Sequence, residues 1–506
     1  MTLQEITQLR KEGKIDEAYQ NCLALYEQYP TDRYVRTAMA WCLKSVTEQA
    51  VEQCNVDAFV NALSLLGKLD LAEICEFQMA NRFSWDIRGL LDNLKSAPAA
   101  YVNVANRILD VLSGLHFVKP NKYYSLLADV FLKVKGSQGA AWPGFVKFMD
   151  WFGFDNLMPE DYHRIPLQNG KSLPSLAERV HTTYYKSLML LIDEGNADSA
   201  KIDQFINRLT LLNESHPEYQ YTLYHKSLLL LKLGRQTDAM EAIKPFVQRK
   251  QSEFWVWDVL SDTTDDDEIK LSCCCRALMC NADPKFLGKV HLKTALLMHK
   301  LGYDKNARTE IRAMHTVYQQ NGWNMPYEAL DLVRQPWYQA ADAPQLNDAF
   351  YKNHLSASES FLYADVPEVP ILVTKCNYER MMCNFVTVDL KQGFFSLRQI
   401  KKRFKENTIY LVRMAGSVEE GKISNILTAE KVHDATPYID VLFCKVDGVL
   451  KIREGDKFGF VGDVYIDKSL ITSEMSNHTE VTGSAVISFN HKKKTWGWKA
   501  TSLKIK

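Results

Sequence analysis

The sequence predicts an α + β multidomain fold, with a long helical region ahead of a shorter β-rich region. Three observations carry this prediction. A helical periodicity of apolar residues runs through residues 1–335, prolines cluster within residues 336–370, and apolar and polar residues alternate from residue 371 onward. Because a period near 3.6 marks a helix face and a period of two marks a strand face, we expect helices first and sheets second.

One local pattern returns three times in the helical region. A glycine is followed five residues later by an alanine at residues 13–18, 234–239 and 302–307. Glycine is suited to end one helix, and a small alanine lets the next helix pack closely against it. The pattern resembles the tetratricopeptide repeat, and its returns predict an α-solenoid of helical hairpins over residues 1–335 that offers a surface to a protein partner.

Aromatic residues concentrate between Trp142 and Tyr162. Trp142, Phe145, Phe148 and Phe152 follow one another at spacings of three and four residues. This spacing predicts a helix with its rings packed into the solenoid core. The alternative is an aromatic groove for a partner peptide.

Residues 336–370 predict a linker with one helix, and residues 371–432 predict a first small barrel. Strand-like segments lie at 371–376, 384–390, 408–415 and 421–429, with a further short one at 393–397. Between them lies the densest basic run of the chain, which is either the solvated face of a short helix or a patch that tracks phosphates. Its members are Arg398, Lys401, Lys402, Arg403 and Lys405.

The final segment, residues 440–506, predicts short strands with rings on one face. Residues 457–461 read KFGFV and residues 463–471 read DVYIDKSLI. At a period of two, Phe458, Phe460 and Tyr465 share a face on neighbouring strands. Rings beside lysines suit single-stranded nucleic acid, because bases stack on rings while cations follow phosphates. The alternative is that these rings are ordinary barrel packing.

In the order and content of these motifs, residues 440–506 resemble a cold-shock domain, a five-stranded barrel of the OB class. Residues 371–432 resemble a more degraded barrel of the same class. KFGFV is similar to the family's first RNA-binding motif with one glycine missing, and residues 463–471 are similar to its second. The resemblance implies weak binding of single-stranded RNA or DNA with little sequence preference. The predicted binding residues are Lys457, Phe458, Phe460, Tyr465, Lys468, Trp498 and Lys499.

The segment also departs from the cold-shock pattern. Ile452 and Arg453 stand where the family usually has a tryptophan and a phenylalanine, and Asp467 and Lys468 replace a histidine and an aromatic residue. The whole architecture resembles proteins of the bacterial TOTE conflict systems. That resemblance implies a non-enzymatic nucleic-acid-sensing or adaptor role beside effector proteins.

Charge and composition set further limits. The chain has no net charge, but residues 365–506 carry 22 Lys and Arg against 17 Asp and Glu, a balance of +5 that leaves −5 on the rest. No apolar run is long enough for a membrane span, and no secretory signal begins the chain, so we expect a cytoplasmic protein. Eleven cysteines without C-x-x-C pairs predict reduced thiols. A metal site from Cys376, Cys383 and Cys444 is a weak alternative.

The sequence contains no motif that indicates an enzyme. It has no phosphate-binding loop, no Gly-x-Ser-x-Gly elbow and no His-x-x-x-His pair. We therefore expect no catalytic residues, no cofactor and no metal. The first hypothesis is an adaptor that joins a protein partner to nucleic acid. The second is a protein-interaction scaffold in which the barrels are structural and Trp496 and Trp498 are buried. An enzyme with a site between solenoid and barrels is a distant third.

Overall fold

The computed structural model describes the chain except residues 70–76, 95–96, 116–119, 137–138, 341, 343, 399, 401–402, 420, 454–456 and 491–492. The described residues form two compact units. The first comprises residues 1–251 and 262–264, and the second comprises residues 252–261 and 265–506. The first unit is helical, and the second contains helices followed by two curled sheets. The finer domain boundaries inferred from the sequence stay a prediction.

The helices of the first unit are α1 (Leu3–Lys11), α2 (Ile15–Gln28), α3 (Arg33–Glu52), α4 (Val56–Gly67), α5 (Phe77–Asn93), α6 (Pro98–Leu112), α7 (Lys122–Phe131), α8 (Gly144–Phe152), α9 (Leu176–Asp193), α10 (Ser199–Ser215), α11 (Thr222–Lys232) and α12 (Gln236–Arg249). Those of the second unit are α13 (Phe254–Ser261), α14 (Asp267–Leu278), α15 (Gly288–Lys300), α16 (Asp304–Gln320), α17 (Tyr327–Arg334), α18 (Pro336–Ala340), α19 (Asp348–Asn353) and α20 (Ser356–Leu362).

The strands are β1 (Ile165–Pro166), β2 (Ser172–Leu173), β3 (Glu368–Asn377), β4 (Met382–Thr387), β5 (Gln392–Ser396), β6 (Thr408–Ala415), β7 (Asn425–Lys431), β8 (Phe443–Val449), β9 (Lys451–Ile452), β10 (Gly459–Val461), β11 (Val464–Ile466), β12 (Glu480–Asn490) and β13 (Thr495–Ile505). Strands β3–β7 form the first sheet and β8–β13 the second, while β1 and β2 pair as a short hairpin in the first unit.

The three glycines of the repeated pattern end one helix and turn the chain into the next. Gly13, Gly234 and Gly302 have φ values of +79°, +71° and +84°, a left-handed conformation that favours glycine. After each, the next residue donates its N–H to the carbonyl five positions back, at 2.7–3.0 Å. The alanines five residues after the glycines are fully buried. The predicted helical hairpins are thus confirmed, while their tetratricopeptide class stays a prediction.

The aromatic cluster is core packing, as the spacing of its residues predicts. Phe145, Phe148 and Phe152 on α8 are fully buried, and Phe148 stacks on Phe131 of α7 with centroids 4.5 Å apart. The indole N–H of Trp142 donates to the Asn106 Oδ1 at 3.0 Å. Because these rings are buried in the helical core, they are not open to a partner peptide.

Two histidines are buried in the helical core of the first unit. His181 Nδ1 lies 2.8 Å from the Ala177 carbonyl oxygen, and the His225 ring stacks on the Tyr185 ring with centroids 4.2 Å apart. Burial lowers the pKa of His181 to about 4 and that of His225 to about 3, since a charged imidazole loses its hydration there. Both rings are therefore neutral at neutral pH.

A buried carboxylate links three helices of the second unit. Glu310 on α16 is 1% exposed. One of its oxygens lies 2.7 Å from His291 Nδ1 of α15, and the other accepts from Asn347 Nδ2 at 2.5 Å and from the Tyr351 hydroxyl of α19. Three partners compensate for the lost hydration of the carboxylate, so this network fixes α19 against α15 and α16.

The two sheets share one order of strand pairing. When β8 and β9 of the second sheet are counted as one strand, the first strand of each sheet pairs with the second and the fourth, and the fourth pairs with the fifth. In the second sheet the fifth strand, β13, also pairs with the third, β11, in parallel. In the first sheet a single parallel bridge joins Phe394 of β5 to Ile423, which lies just before β7. In the second sheet the first strand is bent, since β8 and β9 are separated only by Leu450. Both sheets therefore curl.

Each curled sheet encloses its own apolar core, and a third cluster joins the two sheets. Ile371 and Val373 point into the first core, whereas Leu372 between them points outward. Together with Val386 and Ile409, Leu372 packs against residues of the second sheet. The partners there are Leu442, Val486 and Ile487. The outer face of β3, β4 and β6 is thus covered by the second sheet.

The strands predicted between residues 371 and 429 are confirmed, including the short one, which is β5. The short helix considered for the basic run does not form among its described residues. Arg398 lies in a turn, and Arg403 and Lys405 flank the buried Phe404 in a segment without regular secondary structure, with their own side chains exposed. Lys401 and Lys402 lie outside the described residues.

The expectation of reduced thiols is wrong for one pair of cysteines. Cys376 on β3 and Cys383 on β4 are directly paired residues of the hairpin, with Cα atoms 4.3 Å apart, and they form a disulfide. This bond removes both from the metal site considered with Cys444, and no cluster of metal-binding side chains occurs among the described residues. Antiparallel register brings the two cysteines together across a separation of seven residues.

No helix in the described parts of the chain combines the length and the apolar character that crossing a bilayer requires.

The buried histidines predict an acid-sensitive first unit. The folded-state pKa of each histidine lies below the ordinary value of about 6.5. As the pH falls below about 6.5, these histidines are protonated in the unfolded chain before they are protonated in the folded chain, and this favours unfolding. Between pH 8 and pH 5, His225 alone lowers the free energy of unfolding by about 2 kcal/mol. Urea unfolding at both pH values should show that His225→Phe weakens this dependence. The exposed His315→Gln is the control, and equal dependence in both variants contradicts the prediction.

The Glu310 network predicts a large stability effect. Glu310→Ala leaves the buried amide of Asn347 and the half-buried hydroxyl of Tyr351 without this acceptor, which we expect to lower the free energy of unfolding by about 3 kcal/mol. Urea unfolding of the purified variants measures this loss. Asp331→Ala, at an exposed position of α17, is the matched control. Similar losses in the two variants would show that the network contributes little.

Candidate nucleic-acid interface

Three aromatic rings cluster on the hairpin of β10 and β11. Phe460 and Tyr465 are directly paired across the two strands, which Gly462 joins at a φ of +57°. Ring centroids are 6.0 Å apart for Phe458 and Phe460, 5.6 Å for Phe458 and Tyr465, and 5.8 Å for Phe460 and Tyr465. Each ring thus contacts the other two. We call Phe458, Phe460 and Tyr465 the ring triad.

The alternation of the two strands turns the ring triad away from the core. Val461 on β10 and Val464 and Ile466 on β11 are buried in the core of the second sheet. Their neighbours Phe460 and Tyr465 therefore point to the opposite face. The Phe460 side chain is 36% exposed, whereas Phe458 and Tyr465 are half-buried against their neighbours. Three rings at the surface of a sheet, next to one another, form a stacking platform.

Lysines flank the rings along one line across the sheet. Lys451 on β9 pairs with Phe460, Phe460 pairs with Tyr465, and Tyr465 pairs with Lys499 on β13. Directly paired residues project from the same face of a sheet, and neighbouring strands lie about 4.8 Å apart. We call Lys451, Phe460, Tyr465 and Lys499 the cross-strand row. It places two rings between two cations, and both lysines are exposed.

Sequence reasoning missed Lys451. Its position in the cross-strand row depends on the bend at Leu450, which lets β9 leave the line of β8 and pair with β10. To predict its position, one must know that residues 451–452 pair with residues 459–460. Nothing in the local residue pattern fixes that register. Lys451 joins Lys457, Lys468 and Lys499 as an exposed cation near the rings.

These four lysines make no ion pair within 4.0 Å in the described part of the chain. A carboxylate nevertheless lies among them. Asp467 accepts hydrogen bonds from the Ser469 N–H at 3.0 Å and the Ser469 hydroxyl at 2.8 Å, capping the short turn Lys468–Leu470. These bonds, followed by the charges of Lys499 and Lys468, hold the pKa of Asp467 below its ordinary range. Asp467 therefore stays ionised and offsets part of the positive potential.

The structure does not bring Trp498 to the ring triad. Trp498 pairs with Val464 and Ile487, both buried, so it lies on the opposite face of β13 from Lys499. There it packs against the core of the second sheet and against the cluster between the sheets. Lys457 begins the first motif and Lys468 lies within the second, and both are exposed and outside the cross-strand row. Four of the seven predicted positions thus form or flank one platform, namely Phe458, Phe460, Tyr465 and Lys499, while Lys457 and Lys468 lie outside the row and Trp498 is on the opposite face.

Ile452, at one of the departures from the cold-shock pattern, also belongs to the fold. Its side chain packs against the core of the second sheet, and its N–H donates to Asn477 Oδ1 at 3.0 Å.

Burial raises the pKa of Tyr465, with Asp467 adding to the effect, so the phenol is neutral at neutral pH. The platform therefore consists of uncharged rings with cations at its margins.

Two stretches of the chain match known families. Residues 445–503 match the family described as S1/CSD-like domain 2 of the TOTE conflict systems. Residues 220–357 match a domain of unknown function, DUF7017. No curated protein matches the chain. The first match extends from β8 to β13 and includes the ring triad. The cold-shock-like resemblance of this segment is thereby confirmed, together with its similarity to a domain of the TOTE conflict systems.

Proposed function

We propose that this chain is a non-enzymatic, cytoplasmic adaptor whose second sheet binds single-stranded RNA or DNA. The observation that carries the proposal is the cross-strand row, which holds two outward rings between two exposed lysines. The family match over residues 445–503 supports a nucleic-acid role in a bacterial conflict system. The order of strand pairing also agrees with a barrel of the OB class, a fold that binds oligonucleotides on its second and third strands.

The geometry of the ring triad sets the strength of binding. Phe460 is inclined by 83° to Phe458 and by 68° to Tyr465, so the rings cannot all stack on successive parallel bases. One or two stacked bases at about 1–3 kcal/mol each give weak affinity. Every base has a flat face, and the rings read no base edge, so we expect little sequence preference. The lysines then add a salt-dependent attraction to phosphates.

The helical region supplies the protein-binding half of the proposal. Its hairpins repeat the same glycine turn and buried alanine, an arrangement that builds extended surfaces in repeat proteins. Large rings project from these helices, with Tyr34 75% exposed and Trp85 48% exposed. Aromatic side chains are enriched where proteins bind one another. We propose that the helices hold a protein partner while the second sheet holds the strand.

A second candidate function is a scaffold whose sheets are structural and bind no nucleic acid. Trp496 and Trp498 favour it, because both are half-buried in the cluster between the two sheets. The exposed ring of Phe460 favours the adaptor instead, since packing between the sheets does not account for a ring on the open face.

Removing the rings should remove binding. Phe460→Ala with Tyr465→Ala deletes the centre of the cross-strand row, and we expect at least a tenfold loss of affinity for a fluorescent twelve-nucleotide single strand at low salt. Fluorescence anisotropy measures the loss, and circular dichroism checks the fold. Tyr327→Ala removes a 75% exposed ring from α17 and serves as control. Unchanged binding by the double variant favours the scaffold.

The lysines of the row predict a specific change in salt dependence. Lys451→Gln with Lys499→Gln removes two phosphate contacts, so the slope of log affinity against log salt should become shallower by about 1.4. Lys504→Gln changes an exposed lysine elsewhere on β13 and should leave the slope unaltered. Titrations at four salt concentrations test this. The same slope in the double variant and the parent excludes the row as a phosphate contact.

A further inference from the structure

A groove of about 670 Å³ opens in the second unit between the first sheet and the far end of the β12–β13 hairpin. One wall is the outer face of β4 and β5, and the other is the end of the β12–β13 hairpin, where Trp496 borders both the groove and the cluster between the sheets. Small-ligand sites commonly measure about 300–1,000 Å³, so the space is large enough for a nucleotide.

Aromatic rings line both walls of this groove. Phe489 and Trp496 are directly paired on the hairpin, with ring centroids 5.2 Å apart and planes inclined by 62°. Phe394 on β5 faces the groove from the first sheet. All three side chains are half-buried, so part of each ring surface borders the groove. A flat ligand can therefore contact aromatic surface from two sides.

Polar groups lie beside the rings. Asn384 on β4 is the direct partner of Phe394, and Gln392 begins β5. Both are exposed, and their side-chain amides make no hydrogen bond within the described residues. Lys391, next in the chain to Gln392, pairs with Asp389 at 2.7 Å and adds a cation to the groove's edge. Amides can donate and accept along the edge of a base, and a lysine can meet a phosphate.

The position of the groove repeats that of the ring triad. In the shared order of strand pairing, β4 and β5 are the second and third strands of the first sheet, as β10 and β11 are of the second. The directly paired Asn384 and Phe394 thus correspond to the directly paired Phe460 and Tyr465. The two faces differ because the groove has a second wall, supplied by Phe489 and Trp496.

We propose that this groove binds an unpaired nucleotide of the same single strand, its base held between Phe394 and the Phe489–Trp496 pair. The inference rests on the proposed function and adds a second contact point to it. Rings on two walls suit a flat base, the amides of Asn384 and Gln392 suit its polar edge, and Lys391 suits the attached phosphate.

Photo-crosslinking of the full chain tests the proposal. A twelve-nucleotide strand containing 5-iodouridine is irradiated with the protein, and the crosslinked residues are identified by mass spectrometry. We expect crosslinks to Phe394 or Trp496 as well as to the ring triad. Asn384→Asp with Gln392→Glu places two charges in the groove without removing apolar packing. We expect this variant to lose the groove crosslinks and about tenfold in affinity, while crosslinks to the ring triad persist.

The control adds the same charge to the first sheet at two residues that do not line the groove, through Asn407→Asp with Asn425→Asp, both exposed. It should bind within twofold of the parent. Crosslinks confined to the ring triad, with equal affinity in both acidic variants, overturn the groove proposal and leave the proposed function standing. Crosslinks confined to the groove support it and reject the triad. A strand that binds nowhere on the chain overturns both.

Discussion

The bend at Leu450 determines the surface on which the candidate site lies. Leu450 is fully buried; its N–H donates to the Thr479 carbonyl at 2.9 Å, and its own carbonyl accepts from the His478 N–H at 2.8 Å. The residues before it pair with β12 and those after it pair with β10. The bent strand formed by β8 and β9 therefore lies at both edges of the sheet, with β8 at one edge and β9 at the other. The β10–β11 hairpin is left with a buried inner face and an open outer face.

The same order of pairing has different consequences in the two sheets. In the first, the outward residues Leu372, Val386 and Ile409 are apolar and packed against the second sheet. In the second, the outward residues of β10 and β11 are aromatic rings flanked by lysines. Exposed rings cost free energy unless a partner covers them, so a surface of this composition is typical of a binding site. Much of the outer face of the first sheet packs against the second sheet, and the second sheet carries the exposed platform.

Much of this arrangement was predictable from local signals. Glycine turns with buried alanines gave the hairpins, and alternation gave the strands and the outward rings of Phe460 and Tyr465. Most of the failures involve alternation within one strand or register between strands. Lys499 and Trp498 are consecutive residues of one strand, so they necessarily face opposite ways, and only one can join the platform. Lys451, the Cys376–Cys383 bond and the groove each depend on which strands meet, which no single segment specifies.

The cluster between the sheets also limits how the C-terminal half can be divided. A fragment ending between the sheets would present Leu372, Val386 and Ile409 to water, and the complementary fragment would uncover Leu442, Val486 and Ile487. Each fragment would then expose an apolar patch that is buried in the intact chain. Isolated halves would therefore tend to self-associate, although each sheet has its own core.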